Sequence, residues 1–344
     1  MDLRETIMLL ARENGPSGFE NHAAAPAKAL LDPLSDEVYT DVLGNLTALR
    51  RCGREEAPVV MLDAHMDEVG LIVTGYENGS LRFSSLGGVD ARVLPATEVK
   101  LLTPDGPIRG VIDFLPPHVV PAAEREKPLA MDKLFIDAGF ASDEEAEKHV
   151  PLGTAAVYVS DCFVLGENQI AGKALDDRSC AAILIAVMEE LKDKPLAVDL
   201  VVNLASQEEV GGRGAQVSAY AVNPDYAVAV DVTFGKSPET PAHKCVKMNG
   251  GAVVTIGPAA SRTVSDKLLS LAKDKEILYQ IEVVGGHSGT DGDDILTSRG
   301  GVATGVVSLP LKYMHTPVEV VDVRDAESVV KLLTAWVLSF GEEE

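Results

Sequence analysis

Hydrophobic positions along this chain fall into two textures. Near the start, Leu3, Ile7 and Leu10 recur at helical spacing in MDLRETIMLLARENG, which predicts an amphipathic helix ending near Gly15-Pro16. PVVMLDA, about 58 to 64, is a short apolar run of the kind that forms a buried strand. After Glu68 come short alternating segments with turn chemistry between them: GLIVTGY, then Glu77-Asn78-Gly79-Ser80, then LRFSSLG. Asn-Gly in that setting predicts a β-hairpin, because both residue types accept the positive φ of a tight turn. VKLLTPDGPIRGVIDF repeats the style around Asp105-Gly106. The β-rich texture runs to about Phe163, with one acidic helix near 142–149.

From Gly172 onward long helices alternate with apolar strands. Asp177 to Leu191 reads as a helix, 198–205 as a strand, GGRGAQVSAYAV as a helix and 226–233 as a strand. VSDKLLSLAKDK supplies another helix, GVATGVVSLPLKYM another strand, and a final helix covers about 325–340. Strands alternating with helices predict an α/β fold: a mostly parallel, mixed sheet flanked by helices. The division that follows is a catalytic domain made of 1–68 and 164–344, interrupted by an inserted β-rich domain at 69–163.

Composition narrows the function classes. A chain of 344 residues is long enough for two domains with sizeable cores. Its formal charge of −23 disfavours nucleic acid and anionic membrane, where cations supply the affinity. That acidity is spread along the chain, apart from DEEAE at 143–147 and the closing EEE, and most of it reads as a solvated surface. Four dispersed cysteines, Cys52, Cys162, Cys180 and Cys245, form no CxxC pair, so a reducing compartment fits. The N-terminus is too polar for a signal peptide and no apolar run reaches membrane-spanning length; the expectation is a cytoplasmic protein.

Candidate chemistry collects where the predicted strands end, the edge at which open α/β sheets carry their sites. His65 and Asp67 follow VVMLDA, Glu208 and Glu209 follow VVNLASQ, Asp231 follows YAVAV, and His315 follows SLPLKYM. Asp176-Asp177 opens a helix. Taken singly, Asp177 is an ordinary helix cap, His315 a loop histidine, Asp231 a turn residue and H-x-D a chance pair. Their coincidence on one edge is the signal. Three such ligands around one ion make a catalytic zinc arrangement, and two ions sharing a bridging carboxylate need a set of this size. Glu208 and Glu209 are adjacent on an extended segment, so their side chains point opposite ways and serve different tasks.

These stretches resemble a known family: the cytosolic dinuclear-metal aminopeptidases that assemble into tetrahedral dodecamers, the glutamyl/deblocking aminopeptidase and "cellulase M" group. The resemblance is carried by AHMDEVGLIV (64–73), GKALDDRSC (172–180), SQEEVGGRGA (206–215), AVDVT (229–233), GTDGDDI (289–295) and YMHTPVEVV (313–321). It implies a zinc-peptidase-like catalytic domain, with residues 69–163 as a PDZ-like dimerisation domain. One divalent metal ion would be held by His65, Asp176 and Asp231, and a second by Asp176, Glu209 and His315. The ions would be zinc, with cobalt or manganese as alternatives for such a donor set. Asp67 would orient the His65 imidazole and Glu208 would be the general base. The Asp176-Asp177 peptide would be cis. Substrates would be peptides with a free N-terminus, cleaved one residue at a time.

Two further readings stay open. One is an amidohydrolase of the same metal chemistry acting on N-acyl amino acids; the other is a scaffold that kept the residues and lost turnover. A glycosidase is disfavoured, since it needs an acid and a nucleophile or base flanking a sugar. In GTDGDDI, Asp293 and Asp294 replace the small or neutral residues of the resemblance; beside the pocket for the first side chain they would favour Lys or Arg, and the plainer reading is two solvated loop aspartates in a Gly-rich turn. His287 reads as a loop residue, and His22, His118, His149 and His243 as surface.

Overall fold

The computed structural model describes residues 1–116, 118–120, 129–238 and 240–341. The closing EEE and parts of the 69–163 segment (117 and 121–128) lie outside the described residues. An 11-stranded sheet dominates. At its centre four strands run parallel in the order Asp199–Ala205, Val59–His65, Tyr226–Phe234, Ala303–Lys312. These are the apolar runs of the sequence, buried on both faces as parallel strands require. Antiparallel strands extend the sheet on both sides: Leu46–Arg50 and Glu37–Thr40 beyond Asp199–Ala205, and Glu319–Asp322, Gln169–Gly172 and Phe163–Leu165 beyond Ala303–Lys312. Ala252–Ile256 also pairs with Ala303–Lys312 and carries Tyr279–Val283 in parallel.

Helices cover the sheet. Leu175–Leu191 is the central one and is buried over nearly its whole length, packing with Leu3–Arg12 and Val323–Ser339 into one apolar core. That explains why its sequence shows little amphipathic contrast: a helix enclosed on all sides has no polar face to display. Helix Asn21–Leu31, with Pro26 inside it, has no counterpart in the periodicity argument, because its alanine-rich sequence carries a weak pattern.

The second unit is a closed antiparallel barrel of six strands, Gly70–Glu77, Ser80–Leu86, Glu98–Thr103, Gly106–Ile112, Ile136–Asp137 and Ala155–Tyr158. Asn78 and Gly79 sit at φ 53° and 82° in the hairpin loop, as a primed turn demands. The barrel has its own core, built around Leu71, Leu81, Leu101 and Ile136. Packed on barrel strands Gly70–Glu77 and Ser80–Leu86, Asp143–His149 is the acidic helix read from the sequence. No helix among the described residues is long and apolar enough to cross a membrane.

Candidate active site

Strand register sets the first half of the site. Ala205 lies opposite His65 in the parallel pair, and Ala229 lies opposite Asp63 on the other side. Two residues further on, Asp231 therefore stands at the level of His65, within the strand that continues to Phe234. Glu208 and Glu209 come just past Ala205. His65, Asp67, Asp176, Glu208, Glu209, Asp231 and His315 are thus brought to one place, around a cavity of about 280 Å³ that Val232, Gly289 and Met314 also line.

Distances define how the groups face each other. His65 Nε2 is 3.1 Å from Asp176 Oδ1, 3.9 Å from Asp231 Oδ1 and 4.0 Å from Glu208 Oε2. His315 Nε2 is 3.3 Å from Asp176 Oδ2 and 3.3 Å from Glu209 Oε1. Asp176 therefore turns one oxygen to each imidazole. The Asp176-Asp177 peptide is cis. Asp177 Oδ1 accepts from Cys180 N, as a cap does, while the residue also groups with His65 and Asp231 as potential metal ligands.

Asp67 holds this half together. Fully buried, it lies 3.3 Å from His65 Nδ1 and accepts from Ser17 Oγ and from the backbone N–H groups of Glu208 and Glu209. Asp67 thereby fixes the imidazole, with its own carbonyl at 3.2 Å and its carboxylate at 3.3 Å from Nδ1, and through the carboxylate it fixes the adjacent acidic pair. Below it, Lys173 Nζ donates to both oxygens of Glu68 at 2.8 Å, and Arg178 Nε donates to Met66 O. These bonds tie the His65–Glu68 turn to the segment carrying Asp176. Burying such charges costs desolvation, which pairing and further hydrogen bonds must offset. Here Glu68 faces both Lys173 and Arg178, and the bonds hold two ligand-bearing segments in register.

His315 is supported differently. Its φ is +61°, its side chain is 28 % exposed, and its Nδ1 donates to Gly88 O at 2.9 Å. Glu319, buried, accepts from His315 N at 2.7 Å through Oε1 and from Asp176 N at 3.0 Å through Oε2. The sequence argument missed Glu319, Glu68, Lys173 and Arg178. The signal available was a charged residue inside an otherwise apolar or ligand-bearing stretch, VEVV, MDEV and GKALDDRSC.

The electrostatics show a site that demands positive charge. Burial opposes a charge on His65, yet Asp176 and Asp67 overrule it and hold its pKa well above the ordinary value. His315 behaves alike: against burial, Asp176 and Glu209 lift it to about 11. Burial pushes Asp231, Asp177 and Glu209 up, and Glu208 up to about 7. Burial also works against charge on Asp176, but hydrogen bonds from His315 and His65 hold it below the usual carboxylate range. Glu209 Oε1 and Asp177 Oδ2 are buried without a hydrogen-bond partner. Unsatisfied buried carboxylate oxygens are costly, and cations are the partners that such oxygens accept. His65, Asp177 and Asp231 on one side, and His65, Asp176 and Glu209 on the other, have ligand atoms within 4.8 Å of one another. The donor set fits a divalent metal.

The GTDGDDI loop does not present Asp293 and Asp294 as free charges in this cavity. The Asp293 carboxylate accepts from Ser288 N and Gly289 N, and Asp294 packs by Gly212. Asp291, two residues before Asp293, is buried against Asp63. His287 is 95 % exposed in its loop, 3.6 Å from Asp293.

Comparison with known proteins agrees with this geometry. A family model for M42 glutamyl aminopeptidases matches residues 44–332. The lysyl aminopeptidase of Pyrococcus furiosus is 33% identical, across 96% of this chain and 95% of its own. Among solved structures, a TET aminopeptidase from a marine-sediment Thaumarchaeota archaeon superposes with a TM-score of 0.93 at 30% identity, covering 98% of this chain and 97% of that one. The TET1 peptidase of Pyrococcus horikoshii, described as assembling into a tetrahedron or a large octahedral shell, gives 0.86 at 32% identity over 98% and 99%. This chain belongs to the M42 glutamyl aminopeptidase family, the tetrahedral aminopeptidases, and is a metal-dependent peptide-bond hydrolase.

Proposed function

We propose that this protein removes single amino acids from the free N-terminus of peptides, using two divalent cations and Glu208 as general base. The observation that carries the reading is Asp176, whose two oxygens face two different imidazoles at 3.1 and 3.3 Å. That is the disposition of a bridging carboxylate. His65, Asp176 and Asp231 would hold one ion, and Asp176, Glu209 and His315 the other; zinc, cobalt and manganese all suit such donors. When bound, the cations supply Lewis acidity, lowering the pKa of water and polarising the scissile carbonyl.

The rest falls to the protein. Glu208 borders the cavity with its carboxyl raised to about 7, a value matched to accepting a proton from the attacking water and returning it to the leaving amine. Asp67 keeps Nδ1 of His65 directed inward, so Nε2 stays turned to the cavity. Excess carboxylate around the cavity favours the cationic α-amine of a free N-terminus, which makes cleavage exo. Asp293 accepts from backbone N–H groups of its own loop and Asp294 packs by Gly212, so the lysyl activity named for the Pyrococcus furiosus relative does not follow here from those two charges.

We also propose that residues 69–163 form a dimerisation domain on a catalytic unit of 1–68 and 164–344. Dimers would then build a tetrahedral dodecamer. The shells described for the Pyrococcus horikoshii relative support this, and sedimentation of the purified protein tests it.

The activity is tested with aminoacyl-p-nitroanilides, free and N-acetylated, before and after EDTA and with metal add-back. Free substrates should be cleaved, acetylated ones should not, and chelation should abolish a rate that zinc, cobalt or manganese restores. Turnover of the acetylated set would favour the deacylase reading, and indifference to chelator would overturn the metal mechanism.

A further inference from the structure

Both residues particular to the second ligand set, Glu209 and His315, press against one short turn of the barrel. This is Gly87-Gly88, which follows strand Ser80–Leu86. Gly88 O accepts from His315 Nδ1 at 2.9 Å. A Cβ built on Gly88 would lie 2.8 Å from that Nδ1 and 3.1 Å from Cε1, and would meet nothing else within 4 Å beyond its chain neighbours. Gly87, at φ +81°, packs the same way: a Cβ there would lie 3.1 Å from Glu209 Cβ and 3.3 Å from Glu209 Oε2. Gly88 itself is outside the left-handed region, so its backbone accepts alanine. Its lack of a side chain is explained by the imidazole alone.

We propose that Gly88 is a positioning residue for the second metal ion, acting through His315. The inference rests on the two-ion reading above. The carbonyl accepts a hydrogen bond from Nδ1–H, which fixes the proton on Nδ1 and leaves the Nε2 lone pair directed at Asp176 and Glu209. The missing Cβ lets the ring sit close enough to make that bond. For His65 the same service comes from Asp67, two residues away on the same segment. For His315 it comes from the barrel, across 227 positions of sequence. The barrel therefore completes the second ligand set, and Gly88 contacts neither His65 nor Asp231.

The test is calorimetric titration of metal-free protein with Co²⁺, comparing wild type, Gly88→Ala, His315→Ala and the double variant, with a melting curve of each. Wild type should bind two ions per subunit. Gly88→Ala should keep the tighter ion within twofold and weaken the other by roughly 10-fold or more, the range seen when a partner behind a metal ligand is lost. His315→Ala should bind one ion, and adding Gly88→Ala to it should change nothing, because both act through one imidazole. The metal-free melting temperature of Gly88→Ala should stay within about 3 °C of wild type, since the added methyl meets only the ring of a part-exposed side chain that can shift. Two ions at wild-type affinity in Gly88→Ala, equal loss of both, or an additive effect in the double variant would overturn the proposal. So would a Gly88→Ala protein that fails to fold, since the added methyl meets only the ring. A wild-type stoichiometry of one would remove the two-ion reading first and this inference with it.

Discussion

The two histidines of the site do one job with different support. His65 ends a central strand, is 2 % exposed, and has its Nδ1 within reach of Asp67 two residues away. His315 sits in a loop at φ +61°, is 28 % exposed, and depends on Gly88 and Glu319. A carboxylate behind an imidazole raises its basicity more than a backbone carbonyl does. On the proposed two-ion reading, the His65 half should therefore bind its ion more tightly, and the His315 half should be the one that responds to its surroundings. Asp176 belongs to both, so damage there ought not to discriminate between them.

The largest effect expected is from Glu208→Gln, which should lower kcat by about 10²–10⁴ with both ions retained, because it removes proton transfer and no ligand. Metal analysis alongside turnover checks this, and loss of an ion would mean Glu208 is a ligand instead. Next comes Asp67→Asn. It disturbs the His65 ring and the amides of Glu208 and Glu209 together, so the tighter ion should weaken roughly 10–100-fold. Titration that shows the weaker ion suffering more would invert the comparison.

Glu319→Gln is a smaller and more selective probe. Its amide can replace only one of the two acceptors now serving Asp176 N and His315 N, leaving the other N–H facing a donor. Binding of the second ion should fall about 10-fold, with the first changed less, in line with losses behind metal ligands. Equal weakening would show that Glu319 acts on Asp176 rather than on the His315 half. Smallest of all, Asp293→Asn should shift the ratio of Lys- to Glu-p-nitroanilide kcat/KM by less than about threefold, the scale of a screened charge held by its own loop. A tenfold shift toward Glu would restore Asp293 as a determinant of side-chain preference.

The same contrast explains what could be read without coordinates. The His65 half is local: an apolar run, an H-x-D pair and the parallel register follow from a few residues each. The hairpin at Asn78-Gly79 and the central helix were legible for the same reason. His315 could be found as a ligand candidate, but its support could not, because Gly88 and Glu319 act through folding of distant segments. The short outer strands Glu37–Thr40, Leu46–Arg50 and Gln169–Gly172 were missed since few residues carry each pattern. The Glu68, Lys173 and Arg178 cluster was visible as charge and silent as structure, as burial is a property of the fold. Asp293 is the converse case: acidity near a pocket suggests a preference for Lys or Arg, while its engagement by its own loop, with its oxygens accepting from Ser288 N and Gly289 N, is visible only in the fold.

Anomalous diffraction from zinc-loaded crystals tests the central claim most directly. Two peaks are expected in each subunit, one among His65, Asp176 and Asp231, the other among Asp176, Glu209 and His315, with Glu208 bound to neither. A single peak, or a second one away from His315, would contradict the two-ion site.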